Sequence, residues 1–239
     1  MKNKNRQTNN QPNNKNENLE IKPLKFELTE KQKIIHDTSL NNKDFKCYFL
    51  DALWGTGKSF LTTLISLKLL YANRVNKIIF IRKPSECSLS IGFTPGSIEE
   101  KMAPYNRIFF DKLSELIPKS EIDKLIKEGK IECLPVGFIQ GLSFPRTALI
   151  VDESSGMSFD EILLILSRCA EFSKIFFIGD SINQNFSGDK SGFRDMFNLL
   201  SDKESRDNGI YTFEMMDEKD IVRSSFVRFL MRKTGKIKV

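Results

Sequence analysis

The chain has 239 residues, 40% of them hydrophobic, which is room for one large domain or two small ones with a real core. It carries a formal charge of +6 and a single histidine, His36, so a His-dependent triad or a His-rich metal site has little material to work with. No stretch approaches the roughly 18 apolar residues of a membrane span, so no membrane partner is expected.

Residues 1 to about 20 hold eight Asn and almost nothing apolar, which predicts a disordered tail. The tail carries part of the basic excess, so net charge alone does not argue for a nucleic-acid partner. It has no apolar signal core, and a cytoplasmic protein is expected. The cysteines (Cys47, Cys87, Cys133, Cys169) are scattered without a C-x-x-C and read as reduced thiols.

From about residue 21 a single folded domain is expected to the end of the sequence. Thr29-Glu-Lys-Gln32 reads as a capping box opening a helix to about Leu40. Cys47–Leu53 is a buried strand, followed by Ala52-Leu-Trp-Gly-Thr-Gly-Lys-Ser59 and a helix to about Ala72. Lys77–Ile81 is a second strand with Arg82 at its end. Ser85–Ser97 is a Gly- and Pro-rich loop. Helix is expected over 98–117, interrupted at Pro104, and again over Ser120–Glu128. Ile131–Leu134 and Thr147–Val151 are further strands, the latter followed by Asp152-Glu153. A second capping box, Ser158 to Glu161, opens a helix to about Glu171. Lys174–Ile178 is a strand ending in Gly179-Asp180. Helix over Ser191–Leu200, a polar loop over 202–209, a strand over Tyr211–Met215 and a helix over about Glu218–Lys233 complete the chain. This alternation predicts an α/β fold in three layers, with a mostly parallel central sheet and ligands beyond the carboxyl ends of its strands.

The chemistry collects at those ends. The Ala52–Ser59 stretch is the phosphate-binding pattern G-x-x-x-x-G-K-[ST] with Ala at its first position. Gly55 and Gly57 let successive N–H groups curl round an anion, and the following helix adds its dipole. Lys58 supplies a charge for the outer phosphates, and Ser59 offers a hydroxyl to a phosphate-bridging Mg²⁺. ATP is the expected ligand, contacted by Trp54, Gly55, Thr56, Gly57, Lys58, Ser59 and Phe60. A carboxylate at a strand end can hold the metal, which assigns Asp152 to Mg²⁺ and Glu153 to activation of the attacking water. Gly179-Asp180 is read either as a γ-phosphate sensor or as a strand-ending turn, and Arg82, at the end of its own strand, is counted among the nucleotide-binding residues. The Gln32 amide is placed either on adenine or in its own capping box. Ile221 to Lys238 holds six basic residues and no acid, read either as a solvated face or as the source of an arginine finger, Arg223.

These motifs, in this order, resemble the PhoH-like ATPases, relatives of the first core domain of superfamily 1 helicases. The resemblance rests on Gly55–Ser59, Arg82, Gly92-Phe-Thr-Pro-Gly96, Glu100-Lys101, Pro104-Tyr105, Gly141, Val151–Glu153, Gly179-Asp180, Ser191-Gly192 and Asp220-Ile-Val-Arg223. It implies a RecA-like P-loop NTPase that binds and hydrolyses ATP, assembles into a ring such as a hexamer, and acts on RNA or single-stranded nucleic acid. The Asn-rich tail suggests a phage-encoded member, which would work in the host cytoplasm. The sequence leaves no room for a second helicase core domain, so either a neighbouring subunit supplies the finishing arginine, with Arg223 the candidate, or the monomer hydrolyses ATP slowly. Ser154-Ser155 stands where the family carries Ala-Gln, Asn183 stands at a family glutamine, and Gln140-Gly-Leu142 replaces Arg-Gly-Arg. Those departures leave a second reading open, a nucleotide-switched nucleic-acid-binding module with little catalysis.

Overall fold

The computed structural model describes residues 20–24, 27–82, 98–182 and 191–237, with the backbone alone over 98–105. The Asn-rich tail, the Gly92–Gly96 segment, Asn183 and Gln184 lie outside the described residues.

The elements run α1 (Glu30–Asn41), β1 (Cys47–Ala52), α2 (Lys58–Tyr71), β2 (Lys77–Arg82), α3 (Ile98–Leu116), α4 (Lys119–Lys127), β3 (Ile131–Pro135), β4 (Thr147–Asp152), α5 (Phe159–Ser167), β5 (Lys174–Gly179), α6 (Gly192–Leu199), α7 (Lys203–Asp207), β6 (Ile210–Met215) and α8 (Ser225–Lys233). The six strands form one sheet in the order β3-β2-β4-β5-β1-β6. Every pair is parallel. Strand side chains alternate between the two faces. Tyr48, Leu50, Ile78, Phe80, Ile150 and Phe176 pack with α1 to α4 in one core. Phe49, Ile79, Ile81, Leu149, Val151 and Phe177 pack with α5 and α6 in the other. Two buried faces explain why these strands read as unbroken apolar runs. The result is the expected three-layer α/β architecture.

Both capping boxes form. The Thr29 and Ser158 side chains accept from the N–H groups of Gln32 and Glu161, whose own side chains accept from the cap residues' N–H groups. Among the described residues, no helix is long and apolar enough to cross a membrane.

Four local expectations are corrected. First, α3 runs unbroken through Pro104. Proline removes one ladder bond there, and burial of Phe109, Leu113 and Leu116 holds the rest of the helix on the sheet. Second, α5 stops at Ser167, because the carbonyls of Arg168 and Glu171 turn away to accept from the N–H groups of Phe144 and Arg146. Third, the polar stretch 202–209 contains α7, whose first turn is capped by the Asp202 carboxylate accepting from Ser205 N–H. Fourth, the last helix does not start at Glu218. A 3₁₀ turn over Glu218–Asp220 gives way to extended backbone at Ile221, and α8 begins only at Ser225. The Val222 N–H donates to Gly55 O at 2.9 Å, a partner no helix could offer.

Candidate active site

β1 delivers the loop and α2 receives it, with Gly57 as the helix's N-cap in left-handed backbone at φ 74°. Gly55 is left-handed too, at φ 88°, so both turns favour glycine. The loop is also crowded from outside. A Cβ on Gly57 would lie 3.1 Å from Gln32 Nε2 and 3.2 Å from Val222 Cγ2. Thr56 is fully buried, its hydroxyl donating to Leu53 O at 2.8 Å, which closes the turn from within. Lys58 Nζ donates to Ala52 O at 3.1 Å and Leu53 O at 3.4 Å, so its charge sits inside the loop.

Three walls hold the loop. On one side Gln32, 1% exposed, donates from Nε2 to Thr56 O at 2.7 Å while its Oε1 accepts from Thr29 N–H at 3.0 Å. The amide thus serves the capping box and the loop together. On the second side lies the 221–223 segment, where the Arg223 stem rests 3.5 Å from where a Gly55 Cβ would be. Arg223 therefore lies on the loop of its own chain. On the third side Asp180, at the end of β5, accepts from Trp54 N–H at 2.9 Å. β5 lies between β4 and β1 in the sheet, so Asp180 stands between the loop and the metal-assigned carboxylate. It fixes the start of the loop through a backbone amide.

β4 ends at Asp152, which is 4% exposed and accepts from Glu153 N–H at 3.0 Å. Its Oδ1 is 3.5 Å from the Ser59 hydroxyl. Burial pushes its carboxyl pKa up, and the Glu153 charge adds to this, while Arg82 and Lys58 oppose it. Glu153 follows in left-handed backbone at φ 54°. That conformation is uncommon for a residue with a side chain, and it turns Glu153 out of the strand direction. Its Oε1 is 3.3 Å from Arg82 Nη2. β2 and β4 are in register at Arg82 and Asp152, which brings the guanidinium to this end. The buried Arg82 Nη1 has no hydrogen-bond partner among the described residues.

Several further contacts could not be read from the sequence. Ser155 accepts from Asp180 N–H at 3.1 Å through its hydroxyl, and its carbonyl accepts from Ser191 Oγ at 2.8 Å. A serine at the family's glutamine position thus ties the ends of β4 and β5 together. Asp51, 0% exposed in β1, accepts from Ser181 N–H at 3.0 Å and from Arg194 Nη1 at 2.8 Å, and Arg194 also pairs with Glu214 at 2.7 Å. Lys31, beside Gln32, pairs with Asp217 and with the buried Asp220, each at 2.8 Å.

A family profile described as PhoH-like protein matches residues 24–233. The chain belongs to the PhoH-like family. A PhoH-like protein of Synechocystis sp. is 29% identical over 175 residues, 73% of this chain and 52% of that protein. One of Bacillus subtilis is 29% identical over 174 residues, covering 72% and 53%, and Protein PhoH of Escherichia coli is 28% identical over 174 residues, covering 72% and 48%. The chain spans about half the length of the curated relatives it matches. Among solved structures, the large terminase of a thermophilic bacteriophage shares the fold, with a TM-score of 0.51 at 13% identity over 87% of this chain and 50% of that one. In this PhoH-like chain the phosphate-binding loop, two carboxylates and an arginine converge at the carboxyl edge of the sheet.

Proposed function

We propose that this PhoH-like protein binds ATP with Mg²⁺ and hydrolyses it, working as a cytoplasmic homo-oligomer on RNA or another single-stranded nucleic acid. One arrangement carries the ATPase reading: the Ser59 hydroxyl and Asp152 carboxylate meet 3.5 Å apart at the start of α2, with Glu153 directed outward beside them. One hydroxyl and one carboxylate suit a Mg²⁺ that takes most of its shell from phosphate and water. They do not suit a cation held by protein alone, and among the described residues no cluster of three or more His, Cys, Asp or Glu offers one. Ser59 and Asp152 would hold the ion, which when bound neutralises charge developing on the phosphates.

The chain's own groups divide the remaining work. Lys58 and the loop N–H groups bind the phosphates. Asp180, Gln32 and Val222 keep the loop in shape, and the Arg82 Nη1, without a hydrogen-bond partner among the described residues, is a donor for an outer phosphate oxygen. The Glu153 carboxylate takes the proton of the attacking water, and its pairing with Arg82 sets its direction. Arg223 serves its own loop in this reading.

ATP turnover and nucleotide binding test it together. Lys58→Ala should abolish binding. Glu153→Gln should bind ATP and lose turnover by about 10²–10⁴-fold. Undiminished turnover in Glu153→Gln would overturn the base assignment. The Arg82–Glu153 pair also favours the second reading, a nucleotide-switched nucleic-acid-binding module, since a paired carboxylate is a poor base. That reading predicts ATP binding without measurable phosphate release in the wild type.

A further inference from the structure

Helix α8 has two faces with different fates. Met231 is buried on its inner side and joins Leu53, Ile221 and Ile237 in a small separate core, with Trp54 and Val227 packed against it. Leu53 and Trp54 belong to the phosphate-binding loop, so α8 is seated directly on the nucleotide machinery. Its outer side presents Phe226, 64% exposed, and Phe229, 45% exposed, one turn apart. Arg228, Arg232 and Lys233 are exposed around them, and Arg232 stands 3.7 Å from Glu218. From Ile221 to Val239 the chain has no carboxylate side chain. Both ends of the element reach nucleotide-side loops. Val222 N–H bonds Gly55 O at 2.9 Å, and Lys236 Nζ donates to Ile182 O, two residues past Asp180, at 3.4 Å.

Two exposed aromatic rings set among cations ask for a partner with both planar faces and negative charge. An apolar protein surface would cover the rings and leave the cations unmatched. A duplex would pair with the cations but keep its base faces stacked away. A single strand offers both, since unstacked bases lie on aromatic rings while the backbone carries a phosphate at each step.

We propose that the outer face of α8 is a platform for single-stranded nucleic acid, with bases stacked on Phe226 and Phe229 and phosphates paired to Arg228, Arg232 and Lys233. Occupancy of this face reaches the phosphate-binding loop through the Leu53–Met231 core and the Val222–Gly55 bond. Strand binding stands on α8 alone; only its transmission rests on the ATPase reading above.

Fluorescence anisotropy of labelled oligo-dT and oligo-rU with the full chain, across a salt series, tests the platform. Phe226→Ala/Phe229→Ala should lower strand affinity about tenfold or more while ATP affinity is unchanged. Arg228→Ala should reduce the slope of log affinity against log salt by about 1. The two probes separate DNA from RNA as the preferred strand. Unchanged strand affinity in the double variant overturns the proposal, as does tighter binding of a duplex than of either strand. A double variant that instead loses self-association identifies α8 as a contact between copies and also overturns it. Wild-type protein that binds strands through these rings yet releases no phosphate upholds the platform and removes the ATPase reading.

Discussion

Gln32 shows how one side chain can serve two elements. Its oxygen caps α1 and its amide nitrogen holds the Thr56 carbonyl, so changing it loosens a helix start and the phosphate loop at once. Sequence alone sets the capping box against an adenine contact and does not show the Thr56 carbonyl, because that partner lies across the fold. Lys174 is a residue whose environment can be read by titration. Its ammonium donates to the carbonyls of Lys43 and Phe45 and lies 4.7 Å from the Phe45 ring centroid. Burial, helped by the nearby Arg74 charge, brings its pKa down to about 8 from an ordinary 10.5. Between those values the unfolded chain holds a proton that the folded chain has released, so stability from this residue rises with pH through that window. Thermal denaturation of wild type and Lys174→Met should therefore show the difference moving in favour of wild type as pH climbs from about 8 towards 10.5. A constant difference would show that the amine stays charged in the fold.

At the scale of elements, the break between the 3₁₀ turn and α8 matters most. A helix continued from Glu218 would carry Val222 and Arg223 away from the loop. Asp217 and Asp220 cap the short turn, Lys31 from α1 binds both, and the chain leaves extended across Gly55. Lys31→Met should cost about 1–3 kcal/mol of stability, because it leaves the buried Asp220 carboxylate short of its cation. It should also weaken ATP binding, since the same contact seats the loop's outer wall. Denaturation and nucleotide titration measure the two effects; ATP affinity equal to wild type would show that the clasp does not shape the site. Apolar runs and fixed motif spacing made the six strands, the loop and the Asp-Glu pair legible in the sequence. The break at Ile221 was not legible, because a bond to a residue far away in the chain decides it. The Asp51–Arg194–Glu214 network was hidden for the same reason, as its members come from three separate elements. Ser191-Gly192 was legible as a motif but not as a contact: a Cβ on Gly192 would fall 2.0 Å from Phe159 N, so only glycine lets α6 start against α5.

For the molecule as a whole, the placement of Arg223 separates two modes of assembly. Its stem lies along Gly55 of the same chain, so Arg223→Ala mixed with Lys58→Ala should recover no ATP turnover even if subunits exchange. Recovered turnover would show that the arginine works across a subunit boundary, and light scattering with ATP and Mg²⁺ would give the size of that assembly. The Val222–Gly55 bond also bears on how the chain becomes competent. It joins the first quarter of the sequence to its last tenth, a contact of very high order, and the loop-closure entropy for such a contact must be met before it returns any stability. The phosphate loop can form with β1 and α2 early in folding, but its outer wall is synthesised more than 160 residues later. Under the proposed function, nucleotide affinity should therefore report on whether these two distant segments have closed, and a bound nucleotide would hold them together by mass action.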